Sequence, residues 1–415
     1  MLISYKRTTI SCFVGIFTQA IITNLTAILF IPLMGIYDLT YSQLGVLVSV
    51  NFIAQVLADI SFSGVIDKVG YRRLVLPTTM TAFIGFIVFA ASPLIFKDDV
   101  FAGFLIATVI YAFSSGLLEI LLSPIISAIP GNDKGPAMSL LHSFYAWGQV
   151  ITIIITTLFI AIFGGENWQY IVLFWSILPL TNFFMFLGAK FPDIIPEGHR
   201  QRIREILLHP FFILTLFAIM FGAAAEVVMN QWSSTFMEKG LALPKLTGDL
   251  MGMCGFAIML GVGRVFYGIY GSKINIHKAL IFGSLLAVMS YLTVALSPII
   301  SISVAGCILC GFAVSLLWPG TIVISSDRFP MSGAWLFAIL AVAGDLGAAF
   351  GPWMTGMIID NSMSSRMVLQ LSNMLNVTIE QGAIRFGILL AVIFPLLALM
   401  THYVLYKMKR DNNSL

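Results

Sequence analysis

The chain has 415 residues, 59% of them hydrophobic and only 10% charged, with a formal net charge of +3 and a mean hydropathy of +0.98. A soluble domain carries about 25% charged residues, so this balance excludes a water-soluble globular fold. So small a net charge says nothing by itself about nucleic acid.

Apolar runs follow one another end to end, each long enough for the roughly 20 residues that cross a bilayer. Lys6 and Arg7 open the first, which continues to about Ile36. It outlasts the roughly 7–15-residue core of a cleavable signal, so the first helix is retained. The pattern predicts helices over 8–36, 42–63, 72–94, 100–129, 136–164 and 168–190. A second set follows over 210–237, 247–272, 277–296, 300–324, 331–359 and 381–407. Between the sets, residues 191–208 form the most polar internal stretch, with Pro192, Asp193, Pro196, Glu197 and Arg200, Arg202 and Arg204. The expected organisation is an N-terminal six-helix bundle over 1–190, a cytoplasmic linker over 191–208 and a C-terminal six-helix bundle over 209–415.

An even number of spans puts both termini on one side. That side collects most basic residues, among them Lys6, Arg7, Lys68, Arg72, Arg73, Lys273, Lys407 and Arg410. The other side receives Lys97, Lys239, Lys245, Arg366 and Arg385. The positive-inside rule then makes both termini cytoplasmic, in a multi-pass protein of the plasma (inner) membrane. Gly116-Leu-Leu-Glu119 through Ser123-Pro124 in the fourth helix aligns with Gly311 through Trp318-Pro319 in the tenth, at the same glycine-to-proline spacing. Parallel repeats of this kind are expected when two bundles rock about a central site.

After the second helix the sequence reads Gly64-Val-Ile-Asp67-Lys68-Val-Gly70-Tyr-Arg72-Arg73. A glycine, an acid, a basic residue, a second glycine and a basic pair in so short a compass resemble the signature loop of the major facilitator superfamily. Physically it reads as a conformational latch in which Asp67 engages and releases a neighbour, and the glycines permit a tight turn. The plain alternative is an ordinary basic loop. The resemblance implies an all-α membrane protein with twelve transmembrane helices in two pseudo-symmetric bundles.

A narrower likeness lies in Gly116–Glu119, Ser123-Pro124 and Leu141-His142-Ser-Phe-Tyr145-Ala-Trp147-Gly148. Glu226 with Asn230-Gln231-Trp232, Trp318-Pro319-Gly320 and Gly344-Asp345-Leu-Gly347 with Gly351-Pro352 extend it to the C-terminal half. These segments resemble the fucose-permease-like sugar:proton symporters, which implies cation-driven uptake of a sugar or polyol. That family carries an acid on its first helix as well as its fourth. Here Asn24-Leu25-Thr26-Ala27 places Ala27 at the matching position, while Glu119 is retained.

The ionisable groups singled out inside the predicted spans are Glu119, His142, Glu226, Arg264 and Asp345. Each costs about 2.5–3.5 kcal/mol or more to insert, which makes it a functional candidate by default. Glu119, with no basic residue on its own helix, is the leading candidate for proton coupling, ahead of Asp345 and His142; a hydrogen-bonded structural role is the alternative. Glu226 and Asn230, four apart, share a helix face, and with Trp232 they read as a sugar-facing surface or as helix packing beside an interfacial indole. Tyr145 and Gln149 share the face of His142 and are candidate sugar contacts, as are Trp318, Asn24, Asn51 and Gln55. Arg264 and Asp345 are expected to form an ion pair, because isolated buried charges are too costly.

Cys12, Cys254, Cys307 and Cys310 all fall in apolar segments, so the Cys307–Cys310 spacing reads as packing rather than a redox or metal motif. No phosphate-binding loop, zinc-protease motif or nucleophile elbow is present. No cofactor, metal or nucleic-acid partner follows from the sequence. The implied partners are the lipid bilayer, a small-molecule substrate (a sugar by preference) and a coupling proton or sodium ion, with a monomer as the unit. The competing function is proton-coupled efflux of amphipathic compounds on the same fold.

Overall fold

The computed structural model describes residues 5–62, 65–130, 134–192, 206–329 and 334–412. Twelve helices there are long and apolar enough to cross a membrane: α1 Lys6–Ile28, α2 Tyr41–Phe62, α3 Tyr71–Ile95, α4 Val100–Ile126, α5 Ser143–Phe163, α6 Gly165–Leu187, α7 Pro210–Gly240, α8 Lys245–Tyr267, α9 Ile276–Leu296, α10 Ile300–Arg328, α11 Ala338–Ser362 and α12 Ile379–Met408. With no water in a bilayer core to satisfy backbone groups, helices bonded within themselves are the available solution for such apolar runs.

Several spans are not the uninterrupted helices expected from their sequences, among them the first, the tenth and the twelfth, which breaks at Val392 between Ile379–Ala391 and Ile393–Asn412. The first run breaks at Leu29, three residues ahead of Pro32, and resumes as a helix over Phe30–Tyr37. The tenth splits into Ile300–Val314 and Leu317–Arg328. Proline has no N–H to give the carbonyl four residues back, so Pro319 leaves the Ser315 carbonyl unclaimed by its own helix.

Contact clustering divides the chain into two compact units, Met1–Leu39 with Val50–Pro196, and Thr40–Ser49 with Glu197–Leu415. The start of α2 is thus counted with the second unit. There the Asp360 carboxylate accepts from the N–H groups of Tyr41 and Ser42 at 3.3 and 2.6 Å, supplying a helix N-terminus with a remote cap. Most of the expected linker, residues 193–205, lies outside the described residues.

Inside the first unit α3 packs on α4 and α6, and α1 packs on α5. Inside the second, α9 packs on α10 and α12, and α7 on α11. The same packing scheme recurs with a six-helix offset. The aligned glycines explain part of it: a Cβ on Gly116 would stand 2.6 Å from the Gln55 carbonyl oxygen of α2, and one on Gly311 would strike the Phe256 carbonyl of α8. Each glycine lets two backbones meet at the same point of its repeat.

Because the Gly116 crossing has no room for a side chain, Gly116→Val should lower stability by about 1–3 kcal/mol, read as a fall in thermal unfolding temperature in detergent. Gly35→Ala, at a glycine with open space around it, should be neutral or mildly stabilising. Equal behaviour of the two variants would contradict this packing.

Candidate functional site

A connected polar network lies inside the first unit. Ser115 of α4 donates to Gln55 Oε1 at 3.0 Å, Gln55 Nε2 donates to Asn51 Oδ1 at 2.7 Å, and Asn51 Nδ2 donates to the Ile22 carbonyl of α1 at 3.0 Å. Beside it Gln19 Nε2 of α1 donates to Glu119 Oε2 at 3.0 Å. Further along α1, the Thr26 and Tyr111 hydroxyls lie 3.0 Å apart. Glu119 is only half-buried, so its carboxyl is tethered and still reachable. Gly116 puts α4 against α2 one turn away, which is what brings Glu119 to this polar seam.

In the second unit Glu226 of α7 and Arg264 of α8 form an ion pair at 3.1 Å, with side chains 17% and 32% exposed. Arg264 Nε also donates to the Ser315 carbonyl at 3.4 Å, the group that Pro319 leaves open. The helix break thus supplies an acceptor for a guanidinium, and the carboxylate supplies its charge partner. The expected pairing of Arg264 with Asp345 is corrected. Gly347 of α11 lies against the Met220 backbone of α7, and Gly351 against Ala224, so the two helices run parallel in this register. Asp345 and Glu226 are then about eight residues, or roughly 12 Å, apart along the axis. Asp345 is buried among these close helix contacts.

The other expected site residues divide by exposure. Trp232 is 1% exposed, donates its indole N–H to the Pro352 carbonyl at 3.2 Å and lies 6.0 Å from the Tyr41 ring. It is a packing residue, which corrects its assignment as a sugar-stacking platform. Asn24 is fully buried and donates to the Ala20 carbonyl one turn back, so its role is in the helix. Asn51 and Gln55 belong to the network above. Gln149 and Asn230 are buried, whereas Tyr145 and Trp318 are half-buried, the latter against Gly344. The side chains of His142, Asp67 and Lys68, and all of Gly64, lie outside the described residues. Of the latch segment, Gly70 takes a positive φ of 90°, the conformation that asks for glycine. Arg72 donates to the Leu187 carbonyl at 3.3 Å, and Arg73 is exposed.

Several ionisable groups inside spans were missed. Asp59 of α2 is 3% exposed and stands one turn beyond Gln55, where α2 meets Gly116 of α4. Lys245 reaches Asp249 Oδ1 at 2.7 Å and Glu238 Oε2 at 3.8 Å. Arg385, counted above with the basic residues opposite the termini, is buried: its guanidinium donates to the Ser297 carbonyl at 2.9 Å, at the end of α9. It thereby satisfies backbone oxygens that a helix end leaves unpaired. His402 is held between the Ser284 and Thr321 hydroxyls at 3.0 and 3.1 Å. The sequence signal for Asp59, Asp249, Arg385 and His402 was simple, a charged or titratable residue inside a predicted span. A separate cavity of about 330 Å³ in the second unit is lined by Phe266, Phe282, Leu286, Phe312 and Leu316, with Lys278 on its wall.

A family profile described as Major Facilitator Superfamily matches residues 12–352. Among solved structures, a bacterial homologue of the human lysosomal transporter Spinster is similar at 15% identity, with 96% of each chain covered and a TM-score of 0.76. A D-xylose–proton symporter is similar at 16% identity over 94% of this chain and 96% of its own, TM-score 0.74. The fucose:proton symporter of E. coli is similar at 13% identity over 97% and 99%, TM-score 0.63. At these identities the likeness shows the fold alone. Among curated protein sequences none matches significantly.

The ion pair generates a discriminating test. Glu226→Arg and Arg264→Glu should each lower stability by about 2 kcal/mol, less than the 3–5 kcal/mol of a sealed pair because Arg264 is a third exposed. Combining them should recover most of that loss in thermal unfolding. Recovery by exchanging Arg264 with Asp345 instead would overturn the assignment.

Proposed function

The chain belongs to the major facilitator superfamily of transporters, and on that premise we propose that it imports a sugar or related polyol, coupled to an inward cation gradient, by alternating access. Protons are the preferred coupling ion. The observation that carries this reading is Glu119, a half-buried carboxyl in mid-helix, tethered by Gln19. The spanning helices of the first unit hold no lysine or arginine beyond the first turns of α1 and α3. With no cation beside it among the described residues, Glu119 suits a charge met by something that comes and goes, and a proton is the smallest such group.

The likeness of the Gly116–Glu119 and Tyr145–Gly148 segments to fucose-permease-like symporters supports a sugar, as do two sugar:proton symporters among the structural neighbours. Within the second unit Trp318, Glu226 and Arg264 are half-buried side chains suited to a polar substrate with apolar ring faces, and within the first unit Tyr145 is half-buried. The basic bias of one set of loops supports cytoplasmic termini in a plasma (inner) membrane. Efflux of amphipathic compounds is the second reading, and the apolar cavity beside α9 and α10 favours it.

Reconstituted protein should accumulate one labelled monosaccharide or polyol from a panel when an inward proton gradient is imposed. Glu119→Gln should abolish that accumulation while sparing gradient-independent exchange of the same compound. No accumulation of any member with a proton or a sodium gradient would sink the import reading and leave efflux.

A further inference from the structure

The first unit contains a second buried acid that the coupling reading does not use. Asp59 sits one turn beyond Gln55 on α2, and Glu119 one turn beyond Gly116 on α4. Gln55 and Gly116 are the residues at which the two backbones touch. Starting from that contact, both carboxyls are carried about one turn, roughly 5–6 Å, along their helices. Asp59 is 3% exposed, and its Oδ1 has no hydrogen-bond partner among the described residues. Glu119 holds one hydrogen bond, from Gln19.

Among the described residues the surroundings offer neither carboxyl a cation. Gln19 and Cys12 from α1, Gln55 on α2 itself and Ser115 on α4 are neutral. α5 carries Tyr145 and His142, the latter with its side chain outside the described residues, and α6 carries Glu166 and Tyr170 near its start. α3 contributes Tyr71, Arg72 and Arg73 in its first turn alone, and Arg72 is directed to the Leu187 carbonyl. Arg7 at the start of α1 is spent on the Met185 and Phe184 carbonyls at 2.8 and 2.7 Å. Two like charges placed together in such a setting cannot both be ionised at modest cost.

We infer that Asp59 and Glu119 form a single carboxyl-pair site that holds one exchangeable proton, with Asp59 as its second member. The site rests on the coupling reading of Glu119 and extends it. It also accounts for Ala27, because the partner acid stands on α2 instead of the first helix. Binding is plain protonation: a carboxylate oxygen takes a proton from water, the pair's net charge falls from −2 to −1, and release reverses the step. The unpartnered Asp59 Oδ1 is the acceptor or carrier of that proton, and Gln19 fixes the Glu119 side of the pair.

The test uses the full-length protein in lipid and follows the infrared carbonyl stretch of protonated carboxyls against pH, without any substrate. The expected result is a protonated-carboxyl band whose pH midpoint moves in Asp59→Asn and in Glu119→Gln alike, and which is lost in the double variant. Asp59→Glu, which keeps the acid, should retain the band if Asp59→Asn fails to fold. A midpoint unmoved by Asp59→Asn or, where that variant fails to fold, by Asp59→Glu, with the band lost in Glu119→Gln, would overturn the pair and leave Glu119 as sole carrier. Sugar accumulation measured in the same preparations separates the two claims. A shifted band without uptake of any sugar retains the pair and rejects the importer.

Discussion

The cost of charge in a water-poor interior is the constraint on which the rest of this structure depends. In the second unit that cost is met by permanent partners. Glu226 faces Arg264, Lys245 bridges Asp249 and Glu238, and the Arg385 guanidinium spreads over the carbonyls that end α9. In the first unit the acids Asp59 and Glu119 have amides and hydroxyls around them and, among the described residues, no cation. One unit therefore pairs Glu226, Asp249 and Glu238 with cations, and on the coupling reading the other carries charge that a proton cancels. An arrangement of that kind suits a transporter in which one half titrates while the other keeps its architecture.

The helix irregularities serve the same constraint. Pro319 costs α10 a hydrogen bond, and the freed Ser315 carbonyl is where Arg264 makes its second contact. Without the break, Arg264 would have Glu226 alone and a solvent-facing remainder. Gly116 and Gly311 act differently, by removing side chains so that backbones approach and polar side chains one turn away are brought together. A proline supplies an acceptor and a glycine supplies proximity.

Much of the architecture was legible in the sequence because spanning helices are specified by length and hydropathy, which are local properties. Twelve spans could be counted, and the Gly116–Gly311 alignment pointed to a repeat whose physical content is the pair of backbone contacts. The partners of buried charges were less legible. Which of Glu226 and Asp345 meets Arg264 depends on helix register, and a shift of eight residues along α7 and α11 decides it. Trp232 could not be told from a substrate platform by spacing, since a helix face shows periodicity whether it meets a sugar or another helix. Asp59 is the different case. It stood in plain view inside an apolar span, and the rule that made Glu119 a candidate applied to it equally.

The central claim is that the first unit's acid charge is cancelled by a proton that travels with an uncharged substrate. The direct measurement is the current produced when a mixture of neutral monosaccharides is flowed over membranes containing the protein, with no imposed gradient. The account predicts sugar-induced movement of positive charge in the direction of uptake, abolished in the Asp59→Asn/Glu119→Gln double variant. Sugar uptake without current, or a current unchanged in that variant, would contradict it.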